Sequence, residues 1–269
     1  MIQEDKLYNG KVILKFEDKT HIYSVDGKII YGVTNIIKVL DKPAIIYWAV
    51  NQAISYIEAN LQPGIALDEV QIRNLLEEAR KAHTNKRNKA ADIGTMIHEW
   101  IDSYIKSLIE KKNPPKRPLN KEMKAAVDGF FKWAKENKVQ IIANEQKVYS
   151  MKYKYAGTLD LEAMVNGKRT MIDIKSSNAI YPEYFLQAVA YSNARKEEFG
   201  NKFPGGLLIV RLSKEDKEKE IRPFEVRKVD EKEIKIYFNA FLNCLQIYKW
   251  KMYLKHQELA LKLKRNGII

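Results

Sequence analysis

Residues 154–176, KYAGTLDLEAMVNGKRTMIDIKS, decide the fold. Apolar, aromatic and β-branched residues flank Asn166-Gly167, a dipeptide that strongly favours a tight hairpin turn. The stretch therefore predicts two antiparallel strands, Lys154 to Val165 and Arg169 to Ser176. A preceding run, Val139 to Tyr149, predicts a third strand, so the centre of the chain is expected to form three consecutive strands.

The register of this hairpin brings two acidic side chains together. A two-residue turn pairs Val165 with Lys168 and so places Asp160 opposite Asp173. Cross-strand partners have Cβ atoms about 4.5–5.5 Å apart. Two carboxylates this close repel each other unless a cation lies between them, and hard oxygen ligands suit Mg²⁺ or Mn²⁺. Lys175 points to the same face as Asp173, where it can orient water or offset charge on a phosphate.

Chance is the alternative explanation, because Asp-x-Lys alone is a weak signal on any exposed strand. The register with Asp160 favours a site, as does the expected placement of apolar residues on the opposite face of the strands (Leu159, Ile172 and Ile174).

The order of predicted elements indicates an α/β fold with a mixed central β-sheet flanked by helices. From residue 121 the order is helix, three strands, helix, two strands and a long C-terminal helix, and an N-terminal hairpin and helical extension precede it. We expect an extension at residues 1–90, packed on a core at residues 91–269. Capping boxes at Asp68 and Asp230 begin two helices, and apolar spacing predicts a separate helix from Thr95 to about Lys111.

Composition points to a polyanionic partner. The 269 residues include 47 Lys and Arg against 34 Asp and Glu, a net charge of +13, which favours nucleic acid first and an anionic membrane surface second. The single cysteine, Cys244, excludes a disulfide framework and an iron–sulfur cluster held by four cysteines. No run of about 18 apolar residues predicts a membrane span, and the N-terminus predicts no secretory signal. We therefore expect a cytoplasmic protein of a bacterium, an archaeon or a virus-infected host.

Two sets of residues are candidates for contact with the partner. Residues 80–89 contain five cations and no acid, and Lys86, Arg87 and Lys89 in this basic run either contact phosphates or simply face solvent. Four aromatic residues either stack on bases or, more often for such residues, pack in the core: Tyr47, Trp48, Tyr153 and Tyr155.

Four further residues could complete a site, each with an ordinary alternative. His98 lies on a predicted helix beside an apolar stripe and is either a metal ligand or a satisfied core histidine. Glu145 on the first strand is either a ligand or a solvated carboxylate. Gln187 and Tyr191 share one face of a helix, and core packing accounts for the tyrosine adequately.

Together these residues resemble the RecB-like branch of the PD-(D/E)xK nuclease superfamily. The matching pieces occur in the order found in that family: Gly94-x-x-x-His98, Gly157-Thr158-Leu159-Asp160, Asp173-Ile174-Lys175 and Gln187-x-x-x-Tyr191. The resemblance implies an α-β-β-β-α-β nuclease core, and its compact spacing is most similar to stand-alone exonucleases of phages and of mitochondrial genome maintenance.

The resemblance also implies roles for individual residues. One or two Mg²⁺ or Mn²⁺ ions would bind His98, Asp160, Asp173, the carbonyl oxygen of Ile174 and, less securely, Glu145. Lys175 would position the attacking water, and Gln187 and Tyr191 would contact DNA or support the site. Several members carry an iron–sulfur cluster, which a chain with one cysteine does not hold.

Three functions follow from this set of residues. The first is a metal-dependent exonuclease acting on single-stranded DNA or DNA ends. The second is a structure-selective or nicking endonuclease of the same fold. The third is a catalytically silent DNA-binding protein, against which the intact set of His98, Asp160, Asp173 and Lys175 argues.

Overall fold

The computed structural model describes residues 1–200, 206–215 and 222–265. The chain forms two compact units. The core unit comprises Met1–Leu40 and Trp100–Ile269, and the helical unit comprises Asp41–Glu99. The domain boundary expected between residues 90 and 91 stays a prediction.

The described elements form groups of consecutive strands separated by helices. In chain order they are β1 (Ile2–Leu7), β2 (Val12–Glu17), β3 (Ile22–Val25), β4 (Lys28–Gly32), α1 (Val33–Ile37), α2 (Pro43–Asn60), α3 (Glu69–Ile109), α4 (Lys121–Glu136), β5 (Gln140–Ser150), β6 (Tyr155–Val165), β7 (Lys168–Lys175), α5 (Pro182–Phe199), β8 (Gly206–Leu212), β9 (Phe224–Lys228) and α6 (Glu231–Arg265). Among the described helices, none combines the length and apolar character needed to cross a membrane.

The strands form one mixed sheet, which confirms the predicted α/β fold. β1 to β4 are an antiparallel meander, and β4 then pairs with β6 in parallel. β6 pairs antiparallel with both β5 and β7, β7 pairs with β8 in parallel, and β9 closes the far edge antiparallel to β8. The long C-terminal helix α6 is also as predicted.

The hairpin of β6 and β7 has the register expected from its turn. Val165 pairs with Lys168, and the ladder runs to the pair Leu161–Ile172. Both turn residues have positive φ, 48° at Asn166 and 78° at Gly167, as a primed two-residue turn requires. The ladder ends one pair before the two aspartates.

Beyond that point the sheet forks. β5 occupies one edge of β6 along its length, so β4 and β7 must share the other edge. On that edge, β4 pairs with Tyr155 and Ala156 of β6, whereas the pairing with β7 begins only at Leu161 of β6. Within the described residues, positions 157–160 therefore have no strand partner on that edge. We call this interruption the fork.

The phase of β6 changes at the fork. Leu159 packs in the same core cluster as Met171 and the helix α5, although it was expected to share a face with Ile172 and Ile174. That expectation is wrong because strict alternation holds only along a regular strand, and β6 leaves its ladder with β7 here. Leu161, two residues further on, pairs with Ile172.

The helix starts at Asp68 and Asp230 are confirmed, but the helix predicted from Thr95 is not a separate one. α3 continues from Glu69 to Ile109 as a single helix. One glycine, Gly94, costs about 1 kcal/mol in a helix interior, which is too little to end it when apolar residues continue on both sides. Residues spaced by four are buried along this stretch: Ile93, Ile97, Ile101 and Ile105.

Candidate functional site

Asp160 lies in the fork, where its side chain supplies the hydrogen-bond acceptor that a neighbouring strand would otherwise provide. Its Oδ2 atom accepts a hydrogen bond of 2.8 Å from the backbone N–H of Ile174. A buried N–H that lost its ladder partner would otherwise cost free energy. The side chain thus fixes Asp160 against the segment Asp173–Lys175, although the ladder of β6 with β7 ends one pair before the two aspartates.

Asp173 is a buried carboxylate with one cationic neighbour. Its side chain is 2% exposed, and Lys175 Nζ lies 2.7 Å from Oδ2. Apart from this ion pair, neither carboxylate oxygen accepts a hydrogen bond within the described residues. Both residues are held by the parallel pairing of β7 with β8, in which Asp173 pairs with Ile209 and Lys175 with Arg211.

Burial and charge oppose each other at this pair. Burial raises the pKa of Asp173 above its ordinary value, Lys175 lowers it, and the charge of Asp160 raises it further. Burial alone would lower the pKa of Lys175, but the two carboxylates raise it overall, so the amine stays protonated. Tyr184 on α5 places its ring centroid 5.2 Å from Lys175 Nζ, a further favourable contact for the cation.

Glu145 lies on β5 opposite Asp160, because the residues on either side of it pair with the residues on either side of Asp160. Burial raises the pKa of Glu145 to about 7, and the charge of Asp160 adds to the increase. Its φ of 48° is unusual for a residue with a side chain and stores strain. Three carboxylates thus lie on three adjacent strands.

Residues of α3 within the core unit extend this cluster of charges. The amide of Asn144 donates to Asp102, and Lys106 Nζ lies 2.6 Å from the other oxygen of Asp102. Asp102 raises the pKa of Glu145, and Lys106 lowers it. Sequence reasoning missed both; their i,i+4 spacing on a helix was the available signal.

Tyr191 braces one side of the fork. Its ring packs on Gly157 so closely that a Cβ atom there would lie 2.2 Å from Cε1. Gln187 donates a hydrogen bond of 2.9 Å to the Tyr191 hydroxyl. Tyr191 is 3% exposed, so its position suits support of the site rather than direct contact with a ligand. The glycine and the Gln-x-x-x-Tyr motif are therefore two halves of one packing contact.

Tyr23 braces the fork from the N-terminal meander. Its hydroxyl forms a hydrogen bond of 2.8 Å with Oγ1 of Thr158, two residues before Asp160. Burial raises the pKa of Tyr23 to about 12, so the phenol stays neutral. Nothing in the sequence motifs pointed to Tyr23, because its role depends on a strand more than 130 residues away.

The candidate histidine and the basic run both lie in the helical unit. In the helical unit, His98 is half-buried on α3, and its role as a ligand rests on the sequence motif and stays a prediction. Lys86, Arg87 and Lys89 are exposed on the same helix, and Lys86 donates a hydrogen bond of 2.8 Å to Gln52 of α2.

The aromatic candidates differ in how exposed they are. Tyr47 is 74% exposed. Tyr155 is fully buried and donates a hydrogen bond to the carbonyl oxygen of Ala190, so it is a core residue. Tyr153 packs against the same core cluster.

The residues at the fork fit a divalent cation. Within the described ranges, no group of three or more His, Cys, Asp or Glu side chains is arranged to hold a metal ion. Asp173, however, buries two oxygens that, apart from the ion pair with Lys175, accept no hydrogen bond within the described residues, and a buried carboxylate in that state is costly. A hard cation would satisfy it, and carboxylate oxygens are the ligands that Mg²⁺ and Mn²⁺ prefer.

The fold and the site define an α/β protein with a carboxylate and lysine cluster at a fork in its mixed sheet. No family model matches the chain, and no curated protein matches it. Among solved structures, an exonuclease described as putative, from Eubacterium rectale, is 9% identical, with 66% of this chain and 69% of that chain covered and a TM-score of 0.37.

An alkaline exonuclease from Laribacter hongkongensis is also similar. It is 12% identical, with 82% of this chain and all 100% of that chain covered, at a TM-score of 0.32. The same enzyme in complex with dAMP is 11% identical, with 80% and 99% covered, at a TM-score of 0.29. TM-scores this low leave the site itself as the basis for a functional conclusion.

Proposed function

We propose that this chain is a metal-dependent DNA exonuclease that acts on single-stranded DNA or at DNA ends. The observation that carries the proposal is the state of Asp173, a buried carboxylate whose partner within the described residues is the amine of Lys175, 2.7 Å away. Such a pair is expensive to bury for structure alone, whereas it is ready to bind a cation and an anionic substrate.

Asp160 and Asp173 would hold one or two Mg²⁺ or Mn²⁺ ions, together with Glu145, His98 and the carbonyl oxygen of Ile174. A bound ion would polarise the scissile phosphate and lower the pKa of a bound water. Lys175 would hold the attacking water by hydrogen bonding and offset negative charge that builds on the phosphate.

Other residues would position the substrate without taking part in chemistry. Lys86, Arg87 and Lys89 would contact phosphates, which supplies affinity independent of sequence. Gln187 and Tyr191 would keep the fork in shape through the packing of Tyr191 on Gly157.

The proposal is tested with end-labelled linear and circular DNA, single- and double-stranded, incubated with Mg²⁺ or Mn²⁺. We expect stepwise shortening of linear DNA and no attack on circles. Asp173→Asn should abolish cleavage, whereas Asp128→Asn, which removes a carboxylate from an exposed ion pair with Arg117, should leave it unchanged.

Two outcomes would replace the proposal by its alternatives. Cleavage or nicking of circular DNA would identify an endonuclease. DNA binding with no cleavage of any substrate in either metal would identify a DNA-binding protein that has the fold without the chemistry.

A further inference from the structure

The C-terminal half of α6, residues 246–265, carries an exposed apolar and aromatic face. Ile247, Trp250, Leu254 and Leu261 are 46%, 58%, 41% and 55% exposed. Their spacing of three, four and seven residues puts them on one side of the helix. Tyr253, beside them, is 60% exposed. A face of this kind is uncommon on a soluble protein unless it meets a partner.

The two halves of α6 differ in burial. The first half buries Phe241, Cys244 and Leu245 in the core of the core unit. Tyr248 still contacts Tyr31, with ring centroids 5.1 Å apart. The following residues extend the helix by about 25–30 Å at 1.5 Å per residue. The helix is thus anchored at one end and presents a long surface at the other.

This surface is also strongly basic. It has one acid, Glu258, against six cations: Lys249, Lys251, Lys255, Lys262, Lys264 and Arg265. In the described part of the chain, no ion pair is seen for any of the six. Lys251, Lys255 and Lys262 align along the helix next to the apolar face.

We propose that residues 246–265 of α6 bind single-stranded DNA, with Trp250 and Tyr253 stacking on bases and Lys251, Lys255 and Lys262 contacting phosphates. Exposed aromatic rings on a face with Lys249 along one edge and Lys251, Lys255 and Lys262 along the other match a flexible polyanion whose bases are unpaired. A second copy of the helix fits less well, because it would bring two rows of cations together. The choice of DNA among polyanions rests on the proposed function.

The test measures binding of the full chain to a fluorescently labelled thymidine 20-mer in EDTA, where metal-dependent cleavage does not occur. Trp250→Ala with Tyr253→Ala should weaken binding by about tenfold or more, the scale of losing stacked bases. Replacing Lys251, Lys255 and Lys262 by Gln should reduce the slope of log K against log salt concentration by about 2.

Matched controls use residues outside this surface. Gln in place of three exposed lysines of the meander, Lys11, Lys19 and Lys28, removes the same charge and should leave the slope nearly unchanged. Ile236→Ala, at a 65% exposed position in the first half of α6, should leave the affinity unchanged. All of these side chains are exposed, so circular dichroism should show the same folded state throughout.

Three results would overturn the inference. The first is unchanged affinity and slope in both sets of α6 variants. The second is that the α6 variants lose binding to vesicles of phosphatidylcholine and phosphatidylserine but still bind DNA, which would identify a membrane surface. The third is conversion of a dimer to a monomer by the aromatic variants, seen by sedimentation, with DNA binding intact. Cleavage by the wild type, assayed separately, shows whether the proposed nuclease function itself holds.

Discussion

Gly157→Ala should destabilise the protein, because the added methyl group would overlap the ring of Tyr191. The added Cβ atom would lie 2.2 Å from Cε1 and 3.1 Å from Cζ of the ring. Contacts below 3.0 Å force one partner to move, and the ring is 3% exposed within the core, with its hydroxyl held by Gln187. Neither the ring nor the strand therefore has free space to move into.

Overpacking of this kind costs about 2–3 kcal/mol. For a chain of this size that corresponds to a fall in Tm of roughly 5–10 °C. Calorimetry on the metal-free protein measures it directly. DNA cleavage should fall as well, because Tyr191 shifts against the segment that carries Asp160.

Gly32→Ala is the matched control, since Gly32 pairs with Ala156, the neighbour of Gly157. A Cβ at Gly32 would meet Tyr23 at 3.5 Å, an ordinary contact, and φ there is −75°. Gly32→Ala should be close to neutral, because the reduced freedom of the unfolded chain offsets the poorer N-cap of α1. Tyr191→Leu should also relieve the clash, so the double variant with Gly157→Ala should be more stable than the sum of the single effects. A Gly157→Ala protein as stable as Gly32→Ala, or strict additivity, would refute this account.

Three further changes test the site. Lys175→Ala should leave DNA affinity in Ca²⁺ nearly unchanged while lowering the cleavage rate by about 10²-fold or more, since the amine acts mainly in the transition state; an equal loss of affinity with kcat unchanged would reduce Lys175 to a phosphate contact. Because the pKa of Glu145 is raised to about 7, folding favours its protonated form and the metal-free protein should lose stability as pH rises from about 4.5 to 7, a loss that Glu145→Gln should diminish in thermal unfolding. Replacing Lys86, Arg87 and Lys89 by Gln should flatten the salt dependence of DNA binding, and an unchanged slope would place this run away from DNA.

Local signals in the sequence were enough for the hairpin that decides the fold. Asn166-Gly167 fixes a two-residue turn, and a turn of known length fixes the register for as long as the strands stay paired. Capping boxes likewise predicted the helix starts at Asp68 and Asp230. These features depend on residues within a few positions of one another.

Features that depend on distant contacts were not predictable. The strand β1 has the polar sequence IQEDKL and is held by pairing with β2, so its composition carries no strand signal. The contact of Tyr23 with Thr158 joins residues 135 positions apart. The change of phase at Leu159 occurs where β6 has no strand partner on one edge, which no pattern within β6 reveals.

The fork explains how a polar site can open inside a sheet at low cost. Where β6 and β7 separate, backbone and side-chain groups would lose partners, and each buried unpaired group costs about 1–3 kcal/mol. Two side chains fill these places: Asp160 accepts from the N–H of Ile174, and Tyr23 bonds Thr158. At the fork, within the described residues, the carboxylate of Asp173 is the group that a cation can satisfy. At the fork, the unmet polar demand is thus concentrated on the Asp173 carboxylate, and a cation bound there would stabilise the folded protein.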